Sequence, residues 1–175
     1  KYAQAIESFT TGLDFVVDND LLLLEYYSSL GDVYNDTKEY SKSDTYFEKA
    51  LQLDSNNVII LNNYAYYLSL RREKLEKAKK MSYQANILEP DNGTYQDTYS
   101  WILYQQQNYL EAKEWINKAI ENDGYKSAVI IEHYGDILYK LGDIKNAINQ
   151  WKKALILEPE SDVLQQKIKD KKLYE

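Results

Sequence analysis

Small side chains recur along this 175-residue chain at a fixed interval, with large apolar residues set between them. Gly31, Ala65, Ser100 and Gly135 stand 34 or 35 residues apart. Three further ladders keep the same step: Ser43, Ala78, Ala112, Ala147; Ala50, Ala85, Ala119, Ala154; and Ser55, Pro90, Gly124, Pro159. Within a unit, the first small residue is followed 12 or 13 positions later by a second, and seven positions after that by a third. The last two share one helix face, and a methyl there lets helix axes approach to the ~8–10 Å packing range. Phe47, Ile116 and Trp151, four residues after the second small site, fill the space between. Turns such as Leu88–Asn92 and Leu157–Ser161 close the units: proline ends one helix, and Asn92 or Ser161 can cap the next. The pattern predicts an all-α array of helix-turn-helix units, each burying its apolar face only against its neighbours.

The flanks continue the pattern. Ala5, Phe9 and Gly12 have the spacing of a second helix whose first helix is missing, so residues 1–20 read as the remnant of a truncated unit. From Ala5 to Gly31 is 26 residues, against 22 for Ser43 to Ala65, and the excess falls around Val17–Asp20. At the other end, residues 162–175 carry Val163, Leu164 and Ile168 among Lys167, Lys169, Lys171 and Lys172. A terminal repeat needs a polar outer face, and this segment reads as a capping helix.

The residues at these positions make a family resemblance plain. Four units, 24–57, 58–92, 93–127 and 128–161, resemble tetratricopeptide repeats: a large residue, Leu-Gly, Tyr, then Ala, an aromatic, Ala and Pro at set intervals. The fit is best in the first (Tyr27, Leu30, Gly31, Tyr34, Ser43, Phe47, Ala50) and the last (Ile131, Gly135, Ala147, Trp151, Ala154, Pro159). The middle two depart from it, with Ser82 for the second-helix aromatic, Gln96 for the opening large residue and Gly124 for proline. The resemblance implies a right-handed superhelical solenoid with first helices lining a concave groove. The stretch 58–161 is also similar to bacterial repeat proteins, particularly envelope-associated ones, which gives a lean towards the cell envelope or periplasm.

On that assignment the groove carries Glu25, Asp32, Asp36, Asp97, Glu132 and Asp136 against Lys140, beside Tyr66, Trp101, Tyr104 and Tyr139. The candidate ligand-binding set is Asn62, Tyr66, Asp97, Trp101, Tyr104, Glu132, Asp136 and Tyr139. Aromatic rings supply contact area at low entropic cost, and carboxylates beside them favour cationic groups. The expected partner is therefore a protein or peptide with a basic or apolar segment. The places where related proteins grip a C-terminal carboxylate hold Ser28, Asp32, Asn63, Thr94 and Thr98, so that mode is not expected.

Composition narrows the classes. With 28 acidic against 21 basic residues the net charge is −7, which argues against a nucleic-acid partner. The densest apolar runs, Leu21–Leu24 and Val58–Leu61, are four residues long, far short of the ~20 of a membrane span. There is no cysteine, no glycine-rich phosphate loop and no HExxH pair, and the single histidine, His133, reads as structural. No enzyme, cofactor or metal is expected. The chain opens at Lys1 inside a helical pattern and reads as a fragment, so the alternative is a regulatory arm of a larger enzyme or signalling protein.

Overall fold

The computed structural model describes residues 2–174. Ten α-helices follow in order: α1 (Tyr2–Leu13), α2 (Asp20–Asp36), α3 (Tyr40–Leu53), α4 (Val58–Arg71), α5 (Leu75–Leu88), α6 (Gly93–Gln105), α7 (Tyr109–Glu121), α8 (Ala128–Lys140), α9 (Ile144–Leu157) and α10 (Asp162–Asp170). A 3₁₀ turn at Gly124–Lys126 precedes α8. The tightest pairings are α2 with α3, α4 with α5, α6 with α7, and α8 with α9, and α4, α6 and α8 also touch along one face. α2 is 17 residues long where the other first helices have 13 or 14. The surplus residues before Gly31 are absorbed there as an extra turn.

Local chemistry sets the helix starts. Asn19, Asn57, Asn92, Ser127 and Ser161 each accept a hydrogen bond from the backbone N–H two or three residues ahead, satisfying donors that the first helical turn leaves open. The hairpin turn between α8 and α9 needs a left-handed residue and places Gly142 there, at φ 83°. The glutamine at 96 also has a purpose. Its Nε2 donates to Pro90 O at 2.6 Å while its Oε1 accepts from Asn122 Nδ2 at 3.0 Å, lashing two inter-repeat turns together. Gly124 replaces proline because a Cβ there would come within 2.3 Å of Ala119 O.

The small-residue ladders are matched to what faces them. A Cβ on Gly31 would lie 2.8 Å from the Phe47 ring, and one on Gly135 would lie 2.4 Å from Trp151. The middle units reverse the arrangement: Ala65 and Ser100 carry a Cβ, and the corresponding second-helix residues are the smaller Ser82 and Ile116, all fully buried. In the third unit, volume is exchanged across the helix pair, Ser100 for glycine and Ile116 for the aromatic, in keeping with close packing; in the second unit both members, Ala65 and Ser82, are small. Ser43 Oγ and Ser100 Oγ use the same approach to donate to Gly31 O and Ala112 O, both at 2.8 Å. Gly135→Ala is expected to overpack against Trp151 and cost ~1–3 kcal/mol. The check is the urea midpoint; an unchanged midpoint would mean that the indole yields freely.

Candidate functional site

The first helices α4, α6 and α8 bring their concave residues into one row, and α10 extends it. Each polar link in this row spans about one repeat. His133 Nδ1 on α8 lies 2.9 and 3.1 Å from the two Asp97 carboxylate oxygens on α6. Lys167 Nζ on α10 donates to Glu132 Oε1 at 2.6 Å and to both Asp136 oxygens at 2.8 Å. Asp136 also accepts from Trp151 Nε1 at 2.8 Å. Trp101 stacks with His133, at 3.9 Å between ring centroids, and with Tyr104, at 4.5 Å.

Tyr66, Trp101, Tyr104, Glu132 and Asp136 line a single cavity of about 410 Å³. Asn62, Asp97 and Tyr139 do not line it. Asn62 and Asp97 are buried, and Tyr139 leans on Trp151 with centroids 5.7 Å apart. The charge reading needs correction. A carboxylate taken out of water must be paired, and Asp97, Glu132 and Asp136 are paired inside the chain rather than left for a cationic partner. The Trp101 ring is likewise engaged inside the chain, stacked with His133 and Tyr104.

The sequence reading also omitted residues that line the cavity. Leu70, Val129 and Val163 stand 50%, 43% and 53% exposed around it, from α4, α8 and α10, with Leu173 and Lys167 beside them. Leu70, Val163 and Lys167 fall outside the positions that register within the four units places on the concave face. Lys167 had a signal: Asp97, Glu132 and Lys167 fall at intervals of 35 residues, so the concave row runs on into the capping helix.

Burial sets the electrostatics. It pushes the Asp136 carboxyl above the usual range, and Lys167 and His133 draw it back only part of the way. For His133, burial alone would depress the imidazole, but Asp97, with Asp136 and Glu132 beyond it, more than compensates, and its pKa rises above 6.5. The Tyr66 phenol is raised by burial and then by Asp97 and Glu132. A histidine whose pKa is raised on folding contributes stability that is complete below the unfolded value and is lost as pH climbs through the folded one. Denaturant midpoints are therefore expected to fall as pH rises above the ordinary histidine range, and His133→Gln is expected to flatten that slope. An equal slope in the variant would remove His133 as its source.

Among the described residues, no group of three or more His, Asp or Glu side chains could hold a metal ion. No helix among them is long and apolar enough to cross a membrane. A tetratricopeptide-repeat family model matches residues 24–57 and 95–125. The chain is a tetratricopeptide-repeat protein. A repeat-containing protein of Pseudomonas aeruginosa is 31% identical over 117 residues, 67% of this chain and 19% of that protein. The type IV pilus assembly protein PilF of the same bacterium is 27% identical over 116 residues, 65% of this chain and 45% of its own length. The tetratricopeptide array thus spans less than half of these curated relatives. Among solved structures, a thermophilic tetratricopeptide protein of Thermus thermophilus superimposes with a TM-score of 0.76 at 14% identity, covering 97% of this chain and 90% of the other. PilF gives 0.69 at 18% identity, covering 97% and 88%. At these identities the likeness is one of fold.

Proposed function

We propose that this chain is a non-catalytic interaction scaffold that receives a segment of a partner protein in its concave cavity. One observation carries the reading. Three exposed apolar side chains from three separate elements, Leu70, Val129 and Val163, line one cavity together with Tyr66 and Trp101. Isolated exposed apolar residues need no explanation, but a converging set with rigid aromatics is the composition of an interface core. The carboxylates around it are engaged, so an apolar side chain of the partner supplies the main anchor. The one imidazole is buried against Asp97 and Trp101, which supports a structural role for it. PilF, a pilus assembly protein by name, shares the fold, which is in keeping with a scaffold.

The test is capture of a partner on the immobilised chain, followed by titration against variants on each face. Leu70→Asp is expected to weaken binding at least ~10-fold, since a hot-spot contact costs over 1–2 kcal/mol. Ile156→Asp, on a residue that is 76% exposed and outside the cavity, is expected to leave it unchanged. The reverse result would move the working surface off the groove.

A further inference from the structure

The turn that leaves each first helix passes through one left-handed residue: Lys38 (φ 62°), Arg72 (φ 56°), Gln107 (φ 63°) and Gly142 (φ 83°). Glycine adopts this conformation freely, whereas any residue with a Cβ is strained in it. In the fourth unit the position needs no side chain for packing, since a Cβ on Gly142 would meet nothing within 4 Å. The two middle units nevertheless hold Arg72 and Gln107 there, and both are exposed. Strain kept in the backbone without a packing return is a mark of ligand-binding positions.

These two side chains share a pocket. Arg72 and Gln107 line a polar recess of about 190 Å³ with Tyr104, Gln105, Tyr109 and Lys140. Arg72, Tyr104 and Gln105 also line the 410 Å³ cavity, so the two volumes adjoin. Two cations and no carboxylate stand among these lining residues, a local reversal of sign in a chain of net charge −7. The cations beside Arg72 in sequence are engaged: Arg71 and Lys74 both bond Asp44 at 2.6 Å. No carboxylate among the described residues pairs with Arg72. The carboxylates of the cavity, Glu132 and Asp136, are meanwhile taken up by Lys167.

Resting on the groove-binding reading, we infer that the partner segment carries an aspartate or glutamate side chain next to its apolar anchor. The anchor enters the cavity beside Leu70, and the carboxylate is received in the adjoining recess by the Arg72 guanidinium. A guanidinium presents a fork of donors that matches a carboxylate, and the Gln105 and Gln107 amides stand in the same recess as further donors. A cation at the end of α4 could instead serve only to balance the helix dipole. Arg71, in the last turn, already supplies that charge. The sign of the partner is thus the opposite of what the concave carboxylates imply when they are read as a free surface.

The probes are labelled synthetic peptides, acetylated and amidated, identical except that a central leucine is flanked by glutamate, glutamine or lysine. Each is titrated into the full chain by fluorescence anisotropy at low salt. The glutamate peptide is expected to bind at least ~5-fold more tightly than the glutamine peptide, the gain of one well-placed exposed ion pair. The lysine peptide is expected to bind most weakly. Arg72→Gly is expected to erase the preference for glutamate over glutamine while leaving the urea midpoint unchanged or higher, because it relieves the left-handed strain. Equal affinity of the glutamate and glutamine peptides, no binding by the glutamate peptide, or a preference that survives Arg72→Gly would overturn the proposal. A lowered midpoint in Arg72→Gly would make the arginine a turn residue and overturn it too. So would a glutamine peptide with a free C-terminus that matches the blocked glutamate peptide, since the carboxylate would then be a chain end. The two readings fail separately. If the uncharged variant Leu70→Ser weakens all three peptides but glutamate gives no advantage, only the acidic requirement falls. If the preference depends on Arg72 while Leu70→Ser changes nothing, the groove-binding reading falls.

Discussion

Trp151→Ala is expected to destabilise the chain by ~3–5 kcal/mol, the largest effect of any single truncation considered. The indole is fully buried and fills the space that Gly135 leaves between α8 and α9. Its Nε1–H is satisfied by Asp136, and the Lys167 ammonium lies 5.7 Å from the ring centroid. Removing it opens a cavity between two rigid helices and takes one donor from a buried carboxylate. Because a repeat contacts only its neighbours, the loss should be concentrated in α8, α9 and α10 and spare α2 and α3. Trp151→Phe separates the two contributions. It keeps most of the packing and loses the donor, so it should cost ~1 kcal/mol. Urea unfolding followed by residue-resolved hydrogen exchange reads both. Uniform loss of protection along the whole array would contradict the nearest-neighbour account.

Asp136→Ala should cost about 3 kcal/mol at neutral pH, comparable to breaking other buried pairs by deleting one partner. Lys167 would keep Glu132 alone, and Trp151 Nε1 would lose its acceptor. Glu132→Ala, at the more solvent-open end of the same triad, should cost clearly less. The contrast is tested by urea midpoints, and by a double-mutant cycle between Asp136 and Lys167, where a coupling above ~1 kcal/mol is expected. If the two single variants were equally stable, the burial of Asp136 would not govern the triad.

The period of the sequence made the architecture legible, because every unit repeats the same packing problem and therefore the same small residues. The small ladders, Phe47, Trp151 and the caps at Asn92 and Ser161 all follow from that. The concave residues were legible only as a surface. Register places Asp97, Glu132 and Asp136 on the groove, but whether a carboxylate there meets water or a neighbour depends on residues one period away. Asp97 was paired with His133 by a step of 36 residues, and Glu132 with Lys167 by 35. Reading helix faces unit by unit could not see these links. Reading the columns through to the capping helix would have found the second. Trp101 lines the cavity as its register implies, but its stacking with His133 joins it to the next unit and cannot be read from its own helix.

The pairing of glycine with a large aromatic in the outer units, and of alanine or serine with a smaller residue in the inner ones, sorts the helices into two interchange classes. A first helix from 20–36 could be spliced onto the second helix of the fourth unit without a clash, since Gly31 would meet Trp151 much as Gly135 does. The same splice onto the second unit would leave Gly31 facing Ser82, a void where the Phe47 ring belongs, and the reciprocal splice would drive the Ala65 methyl into that ring. Duplication and recombination along this gene are thus not free to shuffle units. Viable rearrangements are those that carry a helix pair across intact, or that trade helices within one class.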